Sequence, residues 1–197
     1  MEEELRELLS KRERLVLKGE QLKHSAVLVP LLTINETYHI LFIKRSQQVE
    51  HHKGEISFPG GMREKGDNSF ESTALRETFE EIGIQPRDVV ILGMVDDMET
   101  VSTRYRVTPV VGVIPYPYSF TLSAKEVDEI LTVPVSHLNN EDNGREESIV
   151  RQGKRYTSYV YHYKYYVIWG ATARILKNFL ALWATVRSLK NTGNSLL

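Results

Sequence analysis

Leucines set among charges open the chain. Leu5, Leu8, Leu9, Leu15 and Leu17 recur at helical spacing and predict an amphipathic N-terminal helix. Its apolar stripe can pack on the rest of the chain or on a second copy, and residues 1–24 read as part of the same unit. Two strand-like runs follow, Ser25–Ile34 and Tyr38–Lys44, with Asn35-Glu36-Thr37 as the turn between them. Glu55–Phe58 predicts a third strand, ended by Pro59-Gly60-Gly61. The polar loop Met62–Asn68 leads into a helix over Ser69–Ile82. Further strands are expected at Val89–Val95, Tyr105–Ile114 and Ile130–Val133, with Pro115 and Pro117 punctuating the loop after the second. Glu141–Glu147 is acidic and polar and reads as an exposed loop. Ser148–Arg151, Ser158–Tyr163 and Tyr165–Trp169 read as short strands. Ile175, Leu176, Phe179, Leu182, Trp183 and Val186 give a helical period over Ala171–Leu189, and residues 191–197 read as a flexible tail. Strands interleaved with a few helices predict an α/β or α+β domain with a mixed sheet over residues 25–190.

Composition narrows the function classes. A chain of 197 residues suits one domain with its own core. Lys and Arg number 25 against 26 Asp and Glu, so no global charge points to nucleic acid or an anionic membrane as partner. The absence of Cys excludes disulfides and thiolate metal sites. The N-terminus is charged from its second residue and lacks the apolar core of a signal peptide. The apolar C-terminal helix is broken by Arg174, Lys177 and Arg187 and makes a poor membrane span. A cytoplasmic protein is the expectation.

The chemistry concentrates in Arg76-Glu77-Thr78-Phe79-Glu80-Glu81-Ile82-Gly83-Ile84. Asn68 or Ser69 can cap the helix start, with Glu71 placed as a capping-box partner of Asn68, and Gly83 can end it in a left-handed conformation. At about 100° per residue, Glu77, Glu80 and Glu81 share one face while Leu75, Phe79 and Ile82 face the core. Neighbouring like charges repel, so something must offset the cluster. Arg76 can neutralise Glu80, and the remaining carboxylates suit a hard divalent cation such as Mg²⁺ or Mn²⁺. A solvated acidic face is the competing reading of such a string. The context opposes it: Ser57-Phe58-Pro59-Gly60-Gly61 precedes the helix, so a glycine turn follows a strand. Its amides can approach a phosphate, and a glycine carbonyl can complete a metal shell.

This segment resembles the Nudix box, G-x5-E-x7-R-E-U-x-E-E-x-G-U with U apolar. Gly61, Arg76, Glu77, Glu80, Glu81, Gly83 and Ile84 match it. The spacing from Gly61 to Arg76 is one residue longer, Asp67 is the loop acid with a one-residue offset, and Thr78 replaces an apolar residue. The expansion is similar to the coenzyme A pyrophosphatase branch, whose upstream signature is L-L-T-x-R-(S/A)-x3-R-x3-G-x3-F-P-G-G. Here Leu41-Phe42-Ile43-Lys44-Arg45-Ser46, Gly54 and Phe58-Pro59-Gly60-Gly61 stand in that register, with Glu50 where the second Arg belongs. The resemblance spans about Ser25 to Ala184 and implies an α/β/α sandwich.

By the same resemblance, Glu77 and Glu81 are the metal ligands, Glu80 is a third ligand or support, and Arg76 orients them. Mg²⁺ or Mn²⁺ is the implied cofactor. The implied reaction cleaves the diphosphate of coenzyme A or its thioesters to 3′,5′-ADP and 4′-phosphopantetheine. Other nucleoside diphosphate derivatives such as ADP-ribose, a non-catalytic nucleotide-binding module and an RNA-processing enzyme are the competing functions. Gly60, Gly61, Arg45 and Lys44 are candidates for substrate phosphate and His52 for base or phosphate. Glu126 and Glu129 are candidates for a general base from outside the box, each weighed against a plain surface acid. His51 and His52 alternate faces on a strand and suit a loop or pocket wall better than one shared ion. The tyrosines at 156, 159, 161, 163, 165 and 166 read as cross-strand packing and edge residues before base stacking. The N-terminal helix offers a homodimer contact.

Overall fold

The computed structural model describes residues 1–19, 22–100, 105–151 and 153–192. In chain order it comprises α1 (Glu2–Lys11), β1 (Lys23–Ile34), β2 (Thr37–Arg45), β3 (Ile56–Ser57), β4 (Gly60–Met62) and α2 (Phe70–Ile82). There follow β5 (Val90–Met94), β6 (Met98–Glu99), β7 (Tyr105–Val113), β8 (Val127–Pro134) and α3 (Val135–Leu138). The chain ends in β9 (Gly144–Arg151), β10 (Lys154–Tyr163), β11 (Tyr166–Ile168) and α4 (Gly170–Thr192). Three-residue 3-10 helices occupy Pro86–Asp88 and Glu141–Asn143.

The first hairpin shows how local chemistry sets the frame. Asn35 and Glu36 both lie in the left-handed region, at φ 46° and 62°, and Ile34 pairs with Thr37 across them. Two left-handed residues twist the chain to match the flanking strands, which fixes the register of β1 against β2. β2 also pairs antiparallel with β3 and β8, and β1 pairs parallel with β7. β5 and β6 complete the sheet along β7, so the sheet is mixed, as expected. β9, β10 and β11 form a second, antiparallel sheet.

Alternation along the central strands separates two cores. Ala26, Leu28, Leu32, Leu41 and Ile43 face α2, with Ala74 and Ile82 packed on them. Val29, Leu31, Ile40 and Phe42 face the other way, against Leu5 and Leu9 of α1 and Ile175, Leu176 and Phe179 of α4. Helices thus cover both faces of the sheet, an α/β/α sandwich. Each central strand is buried on both sides and reads as a continuous apolar run. The stripe of α1 is used within the chain, against β5 and α4. Among the described residues no helix is long and apolar enough to cross a membrane.

Several expectations are corrected. The N-terminal helix stops at Lys11 because the following backbone binds side chains instead: Leu15 N–H donates to Asp96 (2.8 Å) and Leu17 N–H to Asp97 (3.0 Å). Leu15 is exposed, outside the apolar stripe. β3 does end before Pro59, but Gly60–Met62, expected as turn and loop, forms β4 against Ser25–Val27 of β1. Gly60 has φ +147°, and a Cβ there would stand 2.4 Å from the Ala26 carbonyl oxygen. The expected loop Glu141–Glu147 becomes strand from Gly144 onward. β9 pairs with β10 along its whole length; Arg145 and Glu146 are exposed, and Arg145 pairs with Glu147 at 2.6 Å. Of the expected tail, residues 193–197 lie outside the described residues.

Candidate active site

Helix α2 is built by its own ends. Ser69, not Asn68, is the cap: its Oγ accepts from Ser72 N–H and Ser72 Oγ accepts from Ser69 N–H, so Ser72 takes the reciprocal role expected of Glu71. Gly83 ends the helix at φ 76°, where its N–H reaches the Phe79 carbonyl. The buried line runs through Ala74, Thr78 and Ile82, each four residues on. Leu75, half-buried, packs against the core as expected, whereas Phe79 is 44% exposed, against the expectation that it faces the core. Thr78, in the place of an apolar residue, satisfies its hydroxyl by donating to the Ala74 carbonyl at 2.6 Å.

The rotation of that buried line carries Glu81 inward. Glu81 is 4% exposed, and burial pushes its carboxyl up to about 8. Two groups oppose the shift: Gly60 N–H donates to Oε2 at 2.9 Å, and Arg45 Nη1 stands 3.7 Å from Oε1. Glu77 is half-buried beside it, and its carboxyl is raised by burial and lowered by Arg76. The Gly61 backbone lies directly under the Glu77 carboxylate, since a Cβ on Gly61 would meet Oε2 at 2.4 Å. Glu80 stays on the outer edge, 51% exposed and 3.1 Å from Arg76. The structure therefore brings together Glu77, Glu81, Gly60, Gly61 and Arg45, with Glu80 at their margin.

Arg76 is the hinge between this pair and the loop before the helix. Its Nε and Nη2 donate to the two oxygens of Asp67, each at 3.0 Å, and Nη2 also reaches the Met62 carbonyl at 2.8 Å. Its Nη1 lies 3.0 Å from Glu77. Asp67 is buried and accepts further from Thr73 Oγ1 (3.0 Å) and Glu64 N–H (2.9 Å). The Arg76 hydrogen bond, with those donors, holds the Asp67 carboxyl down at about 2. The extra loop residue thus leaves Asp67 a firm place, as the anchor of Arg76.

The two outside carboxylates separate. Glu126 lies near the pair: its carbonyl accepts from Ser46 N–H, next to Arg45, at 2.9 Å, and its charge helps raise both Glu77 and Glu81. Glu129 lies opposite Lys44 in the β2–β8 ladder and accepts from Tyr166 Oη at 2.5 Å, against the core under α4. It is removed from the site. His51 and His52 are exposed in the loop between β2 and β3, where His52, at φ 58°, bonds Glu55 at 2.9 Å. Tyr161 and Tyr166 are buried packing residues and Tyr165 is exposed beside Tyr166; the Tyr156 side chain lies outside the described residues.

The donor set fits a hard cation. Among the described residues no three His, Asp or Glu side chains enclose an ion. Magnesium seldom needs such a cage, being held by one or two carboxylates, waters and substrate phosphate. A buried carboxylate raised to about 8 has too little positive charge around it, and a divalent cation would supply it.

Comparison with known proteins agrees with this geometry. Residues 22–152 match the NUDIX domain family. The chain is 35% identical over 155 residues to a protein named uncharacterized Nudix hydrolase NudL from Enterobacter sp., covering 79% of this chain and 80% of that one. It is 34% identical over 171 residues to the Citrobacter koseri protein of the same name, covering 86% and 88%. Among solved structures, a MutT/nudix family protein from Enterococcus faecalis superimposes with a TM-score of 0.53 at 16% identity, over 89% of this chain and 66% of that one, a likeness of fold alone.

Proposed function

The chain belongs to the Nudix hydrolase family, and from that premise we propose that it cleaves the diphosphate of a coenzyme A-like nucleotide with Mg²⁺ or Mn²⁺ as cofactor. One observation carries the reading: Glu77 and Glu81, both raised by burial, are pressed against the Gly60–Gly61 turn. Arg76, Arg45 and the Gly60 N–H offset the burial of this carboxylate pair only in part, which costs stability, and a binding role for a cation explains why the pair is kept. Glu77 and Glu81 would hold the ion, with Glu80 in support. When bound, it neutralises phosphate charge and lowers the pKa of a bound water.

The protein's own groups do the rest. Arg76, clamped by Asp67, keeps Glu77 in one rotamer. Arg45 meets the negative phosphates, and the Gly60–Gly61 backbone allows them close approach. Glu126, near the pair, is the base that takes the proton from the attacking water. Water oxygen bonds to one phosphorus, the bridging P–O bond breaks, and coenzyme A would leave as 3′,5′-ADP and 4′-phosphopantetheine.

The choice of coenzyme A rests on Arg45, Ser46, Gly54 and Phe58–Gly61 standing in the branch's register. Glu50, exposed in the loop between β2 and β3, is the observation that favours a second reading. It puts a negative charge where the signature has a positive one, so ADP-ribose or another nucleotide lacking the 3′-phosphate is the alternative. A panel of coenzyme A, its thioesters, ADP-ribose and dinucleotides, assayed with Mg²⁺ and Mn²⁺ beside Glu81→Gln, decides. Coenzyme A turnover abolished in the variant is expected. No hydrolysis of any diphosphate by the wild type would sink the enzyme reading, and preference for ADP-ribose would sink only the substrate.

A further inference from the structure

Two buried polar atoms on the face below α2 have no hydrogen-bond partner among the described residues: Arg45 Nε and Ser57 Oγ. Their neighbourhood is fixed by register. Ile43 of β2 lies opposite Ser57 of β3, and Arg45 N–H donates to the Glu55 carbonyl one pair further on. Partners directly opposite in an antiparallel ladder point to the same side. Ile43 belongs to the core under α2, so Ser57 and Arg45 share that side with Glu81, 3.7 Å from Arg45. Ser57 cannot turn away. Its neighbours Ile56 and Phe58 are both buried in the opposite core, where Phe58 stacks on Phe42 at 4.8 Å.

Buried hydroxyls ordinarily find a partner, often a backbone carbonyl of the same strand, and one left without costs stability. A strand position facing a core would be filled more favourably by Val. Ser57 is instead a small donor beside an arginine whose own Nε is equally unused. Two donors with no acceptor, on the face that holds the carboxylate pair, are complementary to an anion.

We propose that Ser57 contacts the substrate: its hydroxyl, with Arg45 Nε, donates to a non-bridging oxygen of the nucleoside diphosphate. This rests on the diphosphate-hydrolase reading above. The hydroxyl forms no covalent bond. It fixes the phosphate against Arg45 while the carboxylate pair and Glu126 act on the neighbouring phosphorus.

The test pairs stability with affinity, because the two should move in opposite senses. In Ser57→Ala, ADP affinity measured by calorimetry with and without Mg²⁺ should fall about tenfold to a hundredfold. KM for coenzyme A should rise by a similar factor with kcat changed less than threefold, and the melting temperature should hold or rise by about 2–4 °C. Ser57→Thr, which keeps the hydroxyl, should recover most of the affinity. ADP affinity and KM within twofold of wild type would overturn the proposal. So would a melting temperature lowered by more than about 5 °C alongside the lost affinity, which marks a structural hydroxyl. If the wild type hydrolyses no diphosphate, the enzyme reading fails, and ADP binding alone judges Ser57: weakened in Ser57→Ala it stands, equal or absent in both proteins it falls.

Discussion

Replacing Asp67 by Asn should cost both stability and turnover. The carboxylate receives four hydrogen bonds, two from Arg76 and one each from Thr73 and Glu64 N–H. An asparagine keeps one oxygen but turns an NH₂ group toward the Arg76 guanidinium, donor against donor. The Asp67 carboxyl of the wild type falls from the usual 3.8 to about 2 in the folded protein, roughly two pH units, which corresponds to about 2 kcal/mol at neutral pH. For a chain of this length that is a melting temperature lower by about 4–8 °C.

The pH dependence follows from the direction of the shift. A carboxylate held below its unfolded value contributes fully above about pH 4 and loses that contribution as pH falls toward 2, so roughly half remains at pH 3. Urea unfolding of wild type and Asp67→Asn at pH 7, 5 and 3 should therefore show a gap that is constant between 7 and 5 and about half as large at 3. Hydrolysis should fall about 10- to 100-fold, because a released Arg76 no longer orients Glu77. Identical urea midpoints at pH 7, or a gap that does not narrow between pH 5 and pH 3, would refute the clamp.

Other consequences can be measured alongside. In Gly61→Ala the new methyl occupies the place of the Glu77 carboxylate, which can swing aside; hydrolysis should drop at least tenfold while the urea midpoint barely moves. The neighbouring Gly60→Ala meets backbone of β1 at φ +147° and should instead be recovered poorly folded. Glu81 is raised to about 8, above its unfolded value of 4.5, so the metal-free protein loses stability as pH climbs from 4.5 to 8. Glu81→Gln should thus melt higher than wild type in EDTA at pH 8, with the gap closing by pH 5, and Mn²⁺ should raise wild type more than the variant; equal Mn²⁺ shifts would remove Glu81 as a ligand. Asp97, wholly buried between Arg14 and Arg106 at 2.7 Å each, should cost about 3–5 kcal/mol on change to Asn. The same change should expose Arg12 and Arg14 to trypsin, and an unchanged digestion pattern would separate that ion cluster from the N-terminal arm.

What the sequence made legible was local. The turn at Asn35-Glu36, a cap at one of the two candidates Asn68 and Ser69, and the Gly83 stop are each decided within a few residues, although Thr37, read as part of the turn, begins β2. The tilt of α2 was not legible. Thr78 and Phe79 differ by one step around the helix, and only the packing of Ala74 and Ile82 on the sheet decides that the threonine goes in. Glu126 and Glu129 show the same limit in a strand. Starting that strand at Ile130 left both acids in a loop, whereas a start at Val127 places Glu129 by alternation with Leu131 and Val133, away from α2. β4 needed contact between segments far apart in the chain, and Ser57 carried no signal beyond its place beside the glycines.

The polar groups around α2 divide by what the fold already does for them. Asp67, Arg76 and Thr73 are saturated with one another, and their mutual bonds resist any displacement of the helix start. Glu81, Glu77, Arg45 Nε and Ser57 Oγ are the reverse: buried groups that the chain leaves short of charge or of partners. Were the second set a by-product of packing, it would have no reason to share one face or to include both signs. Two carboxylates and two donors within one patch are the complement of a cation bound to a phosphate. The saturated set is rigid enough to hold the unsaturated set in place before any ligand arrives, so the cost of ordering the site is met during folding and not at binding. On that view Asp67 and Ser57 should respond oppositely to substitution, the first losing stability and turnover together, the second losing affinity while the fold holds or gains.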